Sequence, residues 1–277
     1  MTDEITKLDL AKIESNLKTR KIGRADNWSN EVWDEIDSTN TRAAVIARNG
    51  AHQGVIVLAR QQTAGRGRLG RTWVSPPDAG IYASFLLRPE AAALANIATI
   101  TLASGVAFST AIERISGIRV GLKWVNDLIV NERKLGGILA ELPNVDGQTA
   151  LIIGVGINVR FSEEELPEEL KNKMEWLERC CAAPVDVNLL VSEMAYQLEL
   201  VYEELLSSGP SRILQKWRER SVTLGQHVIG SSGNARVEGI ACDITENGAL
   251  IVYKDNNEEI EIHAGEISIR TATGKYC

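Results

Sequence analysis

The chain has only three histidines and four cysteines in 277 residues, and no spacing joins them into a site. His52, His227 and His263 stand far apart, without an acid–base partner at a useful interval, and read as structural or surface residues. Cys180 and Cys181 are adjacent, Cys242 and Cys277 isolated, and no Cys-x-x-Cys pair occurs, so neither a disulfide framework nor a zinc site is indicated. No Ser-His-Asp or Cys-His set offers a nucleophile. Apolar runs stay short of the about 18 residues that a membrane span requires. The opening stretch MTDEITKLDLAKIES is acidic and polar, unlike a signal peptide. A reduced, cytoplasmic setting is expected. Positive charge is also in deficit, with 30 Lys and Arg against 37 Asp and Glu and a net charge of −7. Broad attraction to nucleic acid or to an anionic membrane is therefore not expected, and any anionic ligand has to be met by a local basic feature.

What is present is an ordinary globular composition, 44% hydrophobic and 24% charged. At about 150 residues per domain, the length suggests two domains. Leu10, Ile13 and Leu17 predict a short amphipathic helix in an N-terminal segment, 1–30. A catalytic unit is expected over 31–220 and a small all-β module over 221–277. Within the larger unit, EVWDEI at 31–36 reads as a strand. Asp37-Ser38-Thr39-Asn40 supplies N-cap chemistry for the helix TRAAVIAR, and Gly50 sits where a terminating glycine belongs. Strands are expected at 54–60, 81–88 and 150–159, and a helix of small and apolar residues at 96–115. VGLKWVNDLIV and KLGGILAEL read as one hairpin turned near Asn131-Glu132, with a further turn at Asp146-Gly147. SEEELPEELKNK reads as a solvated excursion. Asp186 caps a long helix whose Leu190, Met194, Leu198, Val201 and Leu205 share one face, ended by Gly209-Pro210. Beyond residue 221, short strands alternate with turns, the pattern of a small barrel.

Gly65-Arg66-Gly67-Arg68-Leu69-Gly70-Arg71 carries the most information. It matches the dinucleotide fingerprint G-x-G-x-x-G, but that reading needs a helix directly afterwards, and Pro76-Pro77 argues against one. Neither kinase motifs nor a phosphate-binding P-loop occur. What remains is a glycine-rich loop with three arginines, which suits an anion clamp: glycine lets backbone approach a ligand, and the guanidinium fork binds carboxylate or phosphate. An exposed basic loop without a role is the bland alternative. Lys123 and Lys134 can face one pocket across the expected hairpin, where an ammonium would stabilise charge at a reacting phosphate. Asp127 suits a magnesium ion on phosphates, or equally the capping of a turn. Gly154 and Gly156 permit close approach, and Asn158 has donor and acceptor for a base or ribose, with tight strand packing as the alternative.

Taken in order, Asp37-Ser38-Thr39-Asn40, the stretch Gln62 to Trp73, Lys123-Trp124-Val125-Asn126-Asp127, Arg133-Lys134-Leu135-Gly136-Gly137, Gly154-Val155-Gly156-Ile157-Asn158 and Gly265-Glu266-Ile267-Ser268-Ile269-Arg270 resemble the motifs of biotin protein ligases. The resemblance runs from about residue 20 to residue 272, nearly the whole chain. It implies an α/β (α+β) catalytic domain of the class II synthetase-like type with a mixed sheet, and a small C-terminal SH3-like β-barrel. The implied reaction forms biotinyl-5′-AMP from biotin and ATP with Mg²⁺, then passes biotin to a lysine of a biotin carboxyl carrier protein, as in acetyl-CoA carboxylase. Lys134 and Arg68 are the implied catalytic residues. Ser38, Thr39, Asn40, Gln62, Gly65, Arg66, Gly67, Arg68, Lys134, Gly136 and Gly156 are implied at biotin. Arg68, Arg71, Trp73, Lys123, Asn126, Asp127, Asn158 and Arg270 are implied at ATP, with Asp127 toward the metal. Val125 departs from the proline common at that position in the family, a small change in loop stiffness. Bifunctional relatives carry an N-terminal DNA-binding domain of about 60 residues, for which the short N-terminal segment leaves no room; the expectation is a ligase without DNA or membrane partners, its homodimerisation left open. A lipoate ligase or octanoyl transferase shares the implied fold, and a nucleotide- or vitamin-binding regulator would bind without turnover; the arginine loop and terminal barrel favour biotin.

Overall fold

The computed structural model describes residues 7–89, 97–145, 148–164, 166, 168–232, 235–256, 258–263 and 268–271. Among these, a seven-stranded mixed sheet runs in the order β1 (Glu31–Trp33), β2 (Ile56–Ala59), β3 (Gly80–Leu87), β9 (Leu151–Asn158), β6 (Arg133–Glu141), β5 (Asp127–Val130), β4 (Gly121–Lys123). Only the β1–β2 pair is parallel. Two short strands, β7 (Asn144–Val145) and β8 (Gln148–Thr149), pair beside it; the turn expected at 146–147 lies outside the described residues.

The apolar runs in β2, β3 and β9 are buried on both faces. Alternation sends Ile56, Leu58, Ala83, Phe85, Leu87, Ile153 and Val155 to one core, shared with α3 (Ile97–Ser116), α6 (Val187–Ser208) and α7 (Ser211–Arg220). Val57, Leu86 and Ile152 point to the other face, where α2 (Thr39–Arg48) covers them with Ala43, Ile46 and Ala47. Because α2 spans ten residues, it covers only β2, β3 and the near end of β9. The far end of β9 and its neighbour β6 are left open on that face.

The stretch expected as a single strand from 120 to 130 is interrupted instead. β4 and β5 are antiparallel neighbours joined by Trp124, Val125 and Asn126, so Lys123 stands directly opposite Asp127. The β5–β6 turn falls at Asn131-Glu132 as expected, with φ of 51° and 59°, the geometry of a tight two-residue hairpin turn.

Among the described residues, three further α-helices complete the larger unit, α1 (Leu10–Asn16), α4 (Glu168–Lys171) and α5 (Leu177–Cys180), and the long α6 is capped by Asp186, whose carboxylate accepts from the Asn188 and Leu189 N–H groups. The segment after α1 is pinned to α6 by one buried carboxylate. Glu199 accepts from the backbone N–H of Arg20 at 2.7 Å and of Lys21 and Ile22 at 2.8 Å each. Beyond α7, the expected all-β module is a five-stranded antiparallel sheet, in the order β13 (Glu259–Ile262), β12 (Leu250–Tyr253), β11 (Ala235–Ile244), β10 (His227–Ser232), β14 (Ser268–Thr271). No described helix is long and apolar enough to cross a membrane.

Glu199→Ala is expected to strand backbone donors, one of them the buried Ile22 N–H, and to cost about 2–3 kcal/mol of stability. Urea unfolding measures it; a change in midpoint no larger than that of an exposed alanine substitution would contradict the anchoring role.

Candidate functional site

The uncovered part of the sheet forms a cleft of about 370 Å³. Its floor is set by register. Asp127 pairs with Gly137, Gly137 with Gly156, and Gly156 with Tyr82, so these residues lie in one row on the open face, and Lys123 extends the row beyond Asp127. Two glycines in the middle of a sheet row leave a notch, and the Trp73 indole lies in it. A Cβ built on Gly156 would meet the ring at 2.4 Å, and one on Gly137 at 3.3 Å.

Lys134 reaches this face through a β-bulge. The pairing shifts between Leu128 and Ile129, so that Leu128 opposes Gly136 while Ile129 opposes Lys134. Strict alternation would put residues 133, 135 and 137 on one face; the extra residue brings Lys134 to the side of Gly137 instead. Its ammonium lies 2.7 Å from Asp127 Oδ1 and 5.3 Å from the centre of the Trp73 ring. Backbone bonds on both sides hold it there: Lys134 N donates to Lys173 O at 2.8 Å, and Glu175 N donates to Lys134 O at 2.9 Å.

At the other end, α2 presents its N-terminus to the cleft. Ser38 occupies the N-cap position, but its side chain makes no capping bond. Gln62 takes over: its Oε1 accepts from Thr39 N at 2.9 Å and from Thr39 Oγ1 at 3.2 Å, while its Nε2 donates to Ser75 Oγ at 3.0 Å. Ser84, from the middle of β3, lies 2.8 Å from Thr39 Oγ1 and 2.6 Å from Asn40 Oδ1. Asn40 is seated over Gly154, where a Cβ would come within 2.1 Å of its amide oxygen, and its Nδ2 donates to Glu141 Oε2 at 2.7 Å. This end of the cleft is thus neutral, dense in donors and acceptors, and rigidly cross-linked, suited to a polar, uncharged ring.

The arginine loop crosses the open side. It is folded back on itself, with an antiparallel bridge between Arg66 and Thr72 and a bond from Gly67 N to Arg71 O at 2.7 Å. No helix follows it; Thr72 to Pro77 has neither helical nor long strand structure. Arg66 pairs with Glu141 at 2.8 Å. Arg68 Nη1 donates to Asn126 Oδ1 at 3.2 Å. Burial holds the Arg68 guanidinium below its ordinary pKa, Asp127 pulls it back up, and neighbouring Arg71 pushes it down again. Among the described residues, Arg68 Nη2 and Trp73 Nε1 are buried without a hydrogen-bond partner. Two unsatisfied donors at one cleft mark where an acceptor-rich ligand would be satisfied.

Of the expected site residues, Ser38, Thr39, Asn40, Gln62, Arg66, Gly67, Arg68, Arg71, Trp73, Lys123, Asn126, Asp127, Lys134, Gly156 and Asn158 all line the cleft. Gly65 and Gly136 stand behind it. Gly65 O accepts from Trp73 N, and Gly136 faces the opposite side of the sheet, opposite Ile157. Within the cleft lining, Asn158 Nδ2 donates to Glu175 O at 3.0 Å and Lys134 O at 3.3 Å. Arg270 is on β14 opposite Ile229, its side chain outside the described residues, as are Gly265 and Cys277. The solvated excursion needs correction at its end. Leu170, Lys173 and Met174 line the cleft, and Met174 and Trp176 are buried with Leu166 against Phe161. Sequence reasoning also missed Ser75, Ser84 and Glu141. An acidic residue three past an apolar strand core is too common a signal to single out Glu141. For a phosphate-bound magnesium ion the donor set fits only in a limited way: Asp127 supplies a hard carboxylate oxygen, and no cluster of three metal-ligating side chains exists among the described residues.

Residues 32–158 match the biotin/lipoate A/B protein ligase family, and residues 223–270 match the biotin protein ligase C terminal domain. The chain is 31% identical to the bifunctional ligase/repressor BirA of Bacillus subtilis, over 95% of this chain and 79% of that protein. It is also 31% identical to a biotin–[acetyl-CoA-carboxylase] ligase of Mycobacterium tuberculosis, over 92% of this chain and 94% of the relative. A solved structure of the Aquifex aeolicus biotin protein ligase in complex with biotin and ATP superposes with a TM-score of 0.77 at 29% identity, covering 88% of this chain and all of that one.

Gly156→Ala is expected to push the Trp73 indole out of its notch while leaving the fold intact. Circular dichroism should be unchanged and acrylamide quenching of tryptophan fluorescence should rise; unchanged quenching would place the ring elsewhere.

Proposed function

The chain belongs to the biotin/lipoate A/B protein ligase family, and on that premise we propose that the cleft makes biotinyl-5′-AMP and delivers biotin to a carrier-protein lysine. One observation carries the reading. A neutral, cross-linked polar end at Ser38, Thr39 and Gln62 and a cationic end at Lys123, Lys134 and Arg68 share one glycine-floored cleft. Biotin has the matching ends, a neutral ureido ring and a carboxylate.

Two anions, a carboxylate and ATP, repel each other and must be aligned before they react. In this arrangement the ring of biotin sits against Thr39, Asn40 and Gln62, and its carboxylate lies beside the Lys134 ammonium. The carboxylate oxygen attacks the α-phosphorus, the bond to the β-phosphate bridging oxygen breaks, and pyrophosphate leaves. Lys134 and Arg68 offset the charge that builds on the α-phosphate, while Lys123 and Arg71 serve the phosphates. Trp73 offers its ring face to adenine. Magnesium arrives with the phosphates, which need only one or two protein carboxylates, and Asp127 is the group that would hold it. In the second half-reaction the carrier's lysine amine attacks the acyl carbon and AMP leaves. No protein nucleophile takes part, in keeping with the absence of a Ser-His or Cys-His set.

A biotin carboxyl carrier domain of an acetyl-CoA carboxylase is the proposed acceptor. The net charge of −7 supports a reading without nucleic-acid or membrane partners. The use of ATP and the free thiols of Cys180, Cys181 and Cys242 suit the cytoplasm.

Incubated with biotin, ATP and magnesium, the protein should label such a carrier domain, read on a streptavidin blot. Lys134→Ala is expected to slow labelling by about 10²–10³ with the fold retained. Labelling at the wild-type rate by the folded variant would overturn the role given to Lys134, and no labelling by the wild type would overturn the acceptor.

A further inference from the structure

The loop that carries Lys123 and Asn126 is held from two directions, and one of them is the C-terminal sheet. Trp124 lies between these residues and is 4% exposed. Its backbone N–H donates to Thr223 Oγ1 at 2.9 Å, and its indole Nε1 donates to Gly248 O at 3.0 Å, both in buried surroundings. Thr223 belongs to the linker that leads out of α7, and Gly248 to the turn between β11 and β12. The linker also lies along the edge strand β4: Leu122 and Ser221 form a parallel bridge, and Val222 N donates to Leu122 O at 3.0 Å. Gly248 is fixed in its turn by a bond from its N to Thr245 O at 2.9 Å and by φ of 78°, a conformation that glycine adopts without strain.

On its other side the same loop touches the reacting end of the cleft. Asn126 Nδ2 donates to Ile138 O at 2.9 Å, Asn126 O accepts from Ile138 N at 2.9 Å, and Asn126 Oδ1 receives Arg68. Lys123 stands opposite Asp127, itself paired with Lys134.

We propose that Trp124 is a positioning residue through which the C-terminal sheet sets the placement of Lys123 and Asn126, and with it the affinity for the phosphate-bearing substrate. The inference rests on the ligase reading above. It separates the two ends of the cleft: the polar end at Thr39, Asn40 and Gln62 is tied to α2, β3 and the loop at Ser75, and takes no bond from the C-terminal sheet among the described residues. Loosening Trp124 therefore acts on ATP and spares biotin.

The test uses the full chain and two conservative variants. Trp124→Phe keeps a buried aromatic ring and removes the indole donor; Thr223→Val keeps the shape and removes the hydroxyl that accepts from the Trp124 N–H. Biotin binding is measured by calorimetry without nucleotide, and KM for ATP and kcat by biotin-dependent pyrophosphate exchange. Each variant should raise KM for ATP about tenfold, the equivalent of one buried hydrogen bond, and change the biotin Kd by less than about twofold. Unchanged ATP constants in both folded variants would overturn the proposal. So would a parallel loss of biotin and ATP affinity, which a general loosening of the fold produces. Absence of exchange in the wild type would count against the ligase reading instead, and is thereby distinguishable.

Discussion

The site depends on two glycines meeting across β6 and β9. Gly137 and Gly156 are register partners, so the middle of the sheet's open face carries no side chain at that level. Residues that would otherwise stand above the sheet lie down on it: Trp73 over Gly156, and Asn40 over Gly154 one step along. A methyl group at either position would collide with them at 2.4 or 2.1 Å. The same row runs on to Asp127 and Lys123, which places charge at one end of the flat strip. Depth, ring face and charged flank thus come from one pairing of strands.

Charge is concentrated there against the overall trend of the molecule. Lys123, Lys134, Arg66, Arg68 and Arg71 line the cleft, with Asp127 as the carboxylate among the lining residues and Glu141 at its rim. The Lys134–Asp127 pair is partly buried, with side chains 24% and 13% exposed. A pair of that kind holds its lysine in one place at a desolvation cost that limits its contribution to stability. The arrangement favours function over stability: the ammonium is already directed at the cleft when an anion arrives, and little reorganisation is left for the reaction itself.

Much of this was legible in the sequence because local chemistry decided it. Apolar runs bounded by glycine marked β2, β3 and β9, and the capping aspartate and Leu190–Leu205 stripe marked α6. Pro76-Pro77 correctly removed the dinucleotide reading of the arginine loop, since no helix follows. Long-range effects were not legible. The break between β4 and β5 falls at Trp124-Val125-Asn126, between two apolar stretches and with no glycine or proline to announce it. The bulge that turns Lys134 toward the cleft leaves no trace in periodicity, because KLGG reads equally well as plain strand. Ser38 had the chemistry of a capping residue, yet Gln62, 23 positions beyond Thr39, makes the bond to the helix N-terminus. The excursion at 162–173 looked solvated because the burial of its Leu166 comes from Met174 and Trp176 beyond it and from Phe161, while Met174 itself is bridged to Lys134 at the start of β6, contacts that no local window contains.

In the proposed reaction the cleft activates biotin itself, with the polar end choosing the ring and the cationic end the carboxylate and ATP. Pyrophosphate–ATP exchange by the wild-type protein, run separately with biotin, lipoate and octanoate, tests this most directly. The structure predicts exchange that depends on biotin and stays at background with the other two acids. Exchange supported equally by lipoate or octanoate, or none with biotin, would contradict it.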